Sequence, residues 1–234
     1  MACATLVRMK NPFGRREAAP VELPPVPDDV TETWRGSTNE VVLRTSLRGV
    51  PDDDRETAEA LGTLVLGVVR GVREGEFGHS MPQGARGASV RLEVAVCEDD
   101  YGPYTRHEAE DLVGRLQGVA PLAVVAYPRG GSAPVWDDGA GLLRVDLATD
   151  AGDDDGSTRG ELRALVQATL TSVTTDKVKG IVPETAGGSY PVRIHLTVRG
   201  TAGDGFGERS AALLDDMVAR LAGTRVQLEV TREP

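Results

Sequence analysis

VVLRTSLRGVPDDD (residues 41–54) and LLRVDLATDAGDDD (residues 142–155) are two versions of one pattern. In each, an alternating apolar and polar run is followed by a proline or glycine break and three consecutive aspartates. Val41, Leu43, Thr45 and Leu47 alternate with Val42, Arg44, Ser46 and Arg48, which is the period of a strand. Pro51 and Asp52–Asp54 then end the strand and open a helix, where acidic residues complement the helix dipole.

The correspondence continues outward. SVRLEV (89–94) matches PVRIHL (191–196), GRLQG (114–118) matches ARLAG (219–223), and Trp34 and Trp136 precede the two copies. A unit repeated at a fixed spacing must satisfy one supersecondary arrangement twice. In the first copy the apolar stripe Leu61, Leu64, Val65, Val68, Val69 and Val72 predicts a helix. Gly62, Gly67 and Gly71 weaken that helix, so close packing on a sheet is expected to hold it.

Strand 89–96, a helix over about 106–117 and strand 121–128 complete the unit, with a possible edge strand near Phe77 and His79. The second copy reads strand 141–148, helix 156–175, possible strand 177–183, strand 191–199, helix 206–222 and strand 225–231. The predicted class is therefore α+β: a tandem duplication of a ferredoxin-like βαββαβ unit, with antiparallel sheets and helices on one face. The predicted organisation is a basic, proline-rich tail and linker (1–30), a first repeat (31–130) and a second repeat (131–234).

In the tail, Arg8, Lys10, Arg15 and Arg16 surround Leu6, Val7, Met9 and Phe13, and Pro20, Pro24, Pro25 and Pro27 follow. The prolines favour an extended linker. Leu6, Val7, Met9, Phe13, Arg15 and Arg16 are candidate partner-docking residues, ordering on a protein surface.

Composition narrows the function. A formal net charge of −10 argues against a nucleic-acid or anionic-membrane surface. Aromatic residues make up only 4%, which disfavours stacking platforms for bases, sugars or haem. Cys3 and Cys97 form no disulfide framework or metal spacing. No apolar run reaches the length of a membrane span. A cytoplasmic protein without cofactor or metal is expected, with a protein partner or a second copy of itself.

Candidate chemistry lies opposite the apolar stripe of each sheet. There the first copy places Arg44, Ser46, Arg91 and Glu93, and the second Arg144, Asp146, Arg193 and His195. Matching the Leu-Arg pairs equates Arg44 with Arg144, and Arg91 with Arg193. Cross-strand pairs of Arg44 with Glu93, and of Asp146 with Arg193 or His195, are expected. On an open sheet these only tile a wet face. Enclosed between two sheets, Arg44, Arg91, Glu93, Arg144 and Arg193 become ligand-binding candidates, with Asp146 and His195 as possible acid–base residues.

The aspartate triplets lack the spacing of a calcium loop and read as helix caps. GTAGDGFGERS (200–210) has glycines before a helix but fits no phosphate-binding fingerprint. The sequence favours a non-catalytic binding, assembly or regulatory protein. The alternative is a small-molecule enzyme or binding protein of dimeric α+β-barrel type, its pocket lying between the sheets.

Overall fold

The computed structural model describes residues 24–49, 52–129, 131–174, 178 and 180–234. Its first half runs β1 (Thr31–Arg35), β2 (Glu40–Leu47), α1 (Asp54–Glu74), β3 (Ser89–Cys97), α2 (Pro103–Leu116) and β4 (Leu122–Tyr127). The second runs β5 (Val135–Asp137), β6 (Leu142–Asp150), α3 (Asp155–Thr174), β7 (Val192–Arg199), α4 (Glu208–Leu221) and β8 (Val226–Arg232). The protein is α+β, with two four-stranded sheets ordered β1-β2-β3-β4 and β5-β6-β7-β8.

The sheets are mixed, which corrects the antiparallel, ferredoxin-like expectation. β2, β3 and β4 are parallel, and only β1 runs against them. β6, β7 and β8 are likewise parallel, with β5 antiparallel. The expected strand after the first helix does not form: residues 75–88 are turns and irregular chain, and residues 180–183 are turns and a bend. Gly78, Gly84 and Gly87 all adopt positive φ there, which no extended run tolerates. The fourth strand comes instead from TETWR and VWD, ahead of each parallel set.

With a helix as the sole crossover, each strand re-enters the sheet in the direction of the one before it. Right-handed crossovers advancing one way leave both helices on the same face. Each core follows from that placement. Val41, Leu43, Leu92, Val94 and Val96 pack with Leu61, Val65 and Val68 of α1 and Ala109 and Leu112 of α2. Leu143, Val145, Leu147, Ile194 and Leu196 do the same with Leu162, Val166, Leu213 and Leu214.

The aspartate triplets cap helices, and each caps two. Asp53 Oδ1 accepts from the amides of Arg55 and Glu56 at the start of α1. Asp54 reaches across to α2, where its carboxylate accepts from the Tyr104 and Thr105 amides and the Thr105 hydroxyl. The second half repeats this: Asp154 caps α3, and Asp155 accepts from the amides of Gly207, Arg209 and Ser210 on α4. The glycine-bearing loop 200–210 therefore does converge its amides on an anion, and that anion is the chain's own Asp155.

Gly67 and Gly71 of α1 serve a different contact from the one expected. Their open side faces the chain entering β1, not the sheet. The Pro25 carbonyl lies against Gly67, and Val26 and Phe77 against Gly71. Residues 24–30 are thus strapped to α1.

Asp155 provides a test of the caps. The Ser210 hydroxyl lowers its pKa most; desolvation opposes this, and the Ser210, Gly207 and Arg209 amides add to the lowering, giving a value of about 2. A carboxylate depressed in the folded state stabilises above its ordinary pKa of about 4, and that stability is lost as pH falls toward 2. Asp155→Asn is expected to lower Tm by a few degrees at pH 7 and to flatten the acid limb of Tm against pH between about 4 and 2. Gly207→Ala, whose Cβ would sit 2.8 Å from the Asp155 carboxylate, should lower Tm in the same direction. Circular-dichroism melts across pH check both.

Candidate functional site

The two helix-free faces carry the residues singled out from the sequence, and their environments differ. On the first sheet, Arg44 Nε meets Glu93 Oε2 at 2.7 Å, the cross-strand pair expected from the sequence. Arg35 joins from β1, 3.1 Å from Glu93 Oε1 and 3.7 Å from Glu40. Arg91 lies 3.4 Å from Glu40 and donates from Nη1 to the Gly180 carbonyl at 2.9 Å. Arg35 is 2% exposed and Glu93 5%, so the network is buried at its centre.

The cover is the chain's own second half. Ser132–Val135, leading into β5, and Ile181 lie over Arg44, Glu93, Ala95 and Val125. A Cβ at Gly180 would sit 2.7 Å from that of Ala123 in β4. Ala123 and Val125 belong to the second half's core together with Val178 and Ile181. At the hairpin tips, Ser37 donates from its amide and hydroxyl to Asp138.

Between cover and sheet lies a cavity of about 250 Å³, partly open to solvent. Its polar lining is Asp29, Thr31, Arg44, Thr45, Ser46, Glu93 and Ser132, and its apolar wall includes Ala95, Val125, Pro134, Val135 and Ile181. Thr45 donates to Asp29 Oδ1 at 3.1 Å. Arg44 keeps a side-chain exposure of 20%, against 3% for Arg35.

The second sheet's face is open. Arg144 pairs with Asp146 along its own strand at 3.3 Å, and Arg193 pairs with Glu229 at 3.4 Å. His195 Nδ1 is 4.0 Å from Asp146, and its Nε2 lies 2.9 Å from the Thr231 hydroxyl. These side chains are 39–54% exposed. Arg144, Asp146, Arg193 and His195 therefore neighbour one another on a wet surface and enclose nothing.

The strand register also revises the equivalences. Arg91 is opposite Val42, whereas Arg193 is opposite Arg144. With Arg91 and Arg193 equivalent, Arg144 corresponds to Val42, and Asp146 to Arg44. The shared Leu-Arg pair misaligned the strands by two residues. One position thus holds Arg44–Glu93 on the covered face and Asp146–His195 on the bare one. Val42, 1% exposed, becomes the exposed Arg144. Residue choice follows coverage.

Sequence reasoning missed Arg35, because β1 itself was not recognised, and Glu40, which opens β2 one residue ahead of the alternating run that marked the strand. It also missed the cavity wall of Pro134, Val135 and Ile181, which no local pattern places opposite Arg44. Leu6, Val7, Met9, Phe13, Arg15 and Arg16 lie outside the described residues. Cys97 is half-buried, and His79 and His107 are exposed. Among the described residues no group of three or more His, Cys, Asp or Glu side chains sits where it could hold a metal ion. Among them, too, no helix is long and apolar enough to cross a membrane.

Compared with known proteins, the chain matches no family model, no curated protein and no solved structure.

Coverage is testable by a paired swap. Val42→Arg places an unpaired charge under the cover and is expected to cost about 3 kcal/mol or more. Arg144→Val, at the equivalent bare position, should change stability by under about 1 kcal/mol. Denaturant titration of the two variants gives both values, and similar costs would remove the distinction between the faces.

Proposed function

We propose that this protein is a non-catalytic binding and assembly module whose N-terminal segment docks on a protein partner. A single βα module, copied and fused near residue 130, provides the platform. Residues 1–23 provide the docking element, with Leu6, Val7, Met9 and Phe13 seeking an apolar surface and Arg8, Lys10, Arg15 and Arg16 an acidic rim. The partner thus presents an acidic protein surface with an apolar centre.

The observation that carries the reading is the covered face of the first sheet. It serves as a packing surface between two folded halves, its arginines and glutamates joined in one ion-paired network, as protein–protein contacts require. The enzyme reading has less support, since Arg144, Asp146, Arg193 and His195 gather around no enclosed volume. The net charge of −10 also disfavours a nucleic-acid partner.

The test uses the full chain and a shortened chain beginning at residue 24, which keeps the strap of residues 24–30 on α1. A partner recovered from native cells is purified and its binding reconstituted with each chain by calorimetry. The reading expects the shortened chain to melt at the same temperature and to bind at least about tenfold more weakly, or 1.4 kcal/mol. Undiminished binding by the shortened chain overturns the docking role.

A further inference from the structure

We propose that the cavity between the first sheet and the second half is a binding site for a small monocarboxylate with a short apolar body. This inference does not depend on the assembly reading.

Three features of the cavity converge on that ligand. The first is charge. Across the sheet face, three guanidiniums (Arg35, Arg44 and Arg91) meet two carboxylates (Glu40 and Glu93). Asp29, the other carboxylate at the cavity, is exposed on the rim and held by Thr45. With Asp29 counted the charges balance at three and three, and Arg44, 20% exposed, is the cation that the cavity's own lining presents to a ligand.

The second is donor geometry. Arg44 uses Nε on Glu93, and among the described residues its guanidinium has no other partner. The two terminal nitrogens of a guanidinium form a planar fork that matches a carboxylate in bidentate fashion. Thr31 and Ser46 lie beside the same opening.

The third is the apolar lining, with Ala95 and Val125 on the floor and Pro134, Val135 and Ile181 in the cover. It suits a short hydrocarbon chain and rejects a fully hydrated anion. The Glu93 and Asp29 carboxylates repel a phosphate dianion about twice as strongly as a monoanion in the same place, which favours the lower charge. At about 250 Å³ the cavity lies below the range typical of drug-sized ligands, and the occupant is accordingly a carboxylate of a few carbons.

The experiment titrates pentanoate into the full-length protein, following methyl resonances by NMR and heat by calorimetry. Pentanamide, inorganic phosphate and acetate serve as the other arms. The site predicts saturable binding of pentanoate, shifting the Val125 and Ile181 methyls, with pentanamide and phosphate at least tenfold weaker. Acetate should also bind more weakly than pentanoate, because it leaves the apolar wall unfilled.

Arg44→Gln is expected to reduce pentanoate affinity at least tenfold while the protein stays folded, since Glu93 retains Arg35. Ala95→Leu, which fills the cavity from its floor, should abolish the methyl shifts with Arg44 intact. Two results overturn the proposal: no saturable pentanoate binding at millimolar concentration, or unchanged affinity in a folded Arg44→Gln protein. Equal binding of pentanamide also overturns it, because the carboxylate would then contribute nothing.

Discussion

The paired charges of Arg35, Glu93 and Arg44 on the helix-free side of the first sheet make the rest of the architecture possible. Moving a guanidinium and a carboxylate out of water costs several kcal/mol each, and only close, hydrogen-bonded pairing recovers it. Here a carboxylate 5% exposed is shared between two arginines, at 3.1 and 2.7 Å. That sharing allows a polar sheet face to lie under Ser132–Val135 and Ile181. The cavity exists because the cover meets a charged floor that it does not fill. Without the pairing, dry contact between the halves on this side is confined to Ala123 and Val125 against Val178 and Ile181.

A second constraint works inside each half. Asp54 and Asp155 belong to the first turn of one helix and cap the next, tying both helices of a module at the same end. Gly102 and Gly207 stand where a side chain would collide with those carboxylates. The amide-rich helix ends of α2 and α4, which in other proteins receive phosphate, are occupied from within. The proposed carboxylate site accordingly lies away from the helix ends, on the opposite face of the sheet.

The sequence revealed the repeat, the helices, the parallel-set strands and the cross-strand partnership of Arg44 with Glu93. Strand direction was not legible. Clean alternation usually marks a one-sided antiparallel sheet, whereas parallel sheets are generally buried on both faces and read as continuous apolar runs. β7 breaks that association, alternating Val192, Ile194, Leu196 and Val198 with exposed or half-exposed polar residues while lying between two parallel neighbours. The short hairpin strands β1 and β5 have too few residues to show a period, which hid Arg35. Coverage was also invisible locally: Val42 against Arg144 records it, but only the ladder register aligns the two positions.

The most direct measurement is a pair of double-mutant cycles on equivalent cross-strand positions, Arg44 with Glu93 and Asp146 with His195, read by chemical denaturation at pH 7. The account requires a coupling of about 2 kcal/mol for the covered pair and less than about 0.5 kcal/mol for the bare one. Couplings of similar size in both halves would contradict it, because the second half would then not be shielding the first sheet's charges from water.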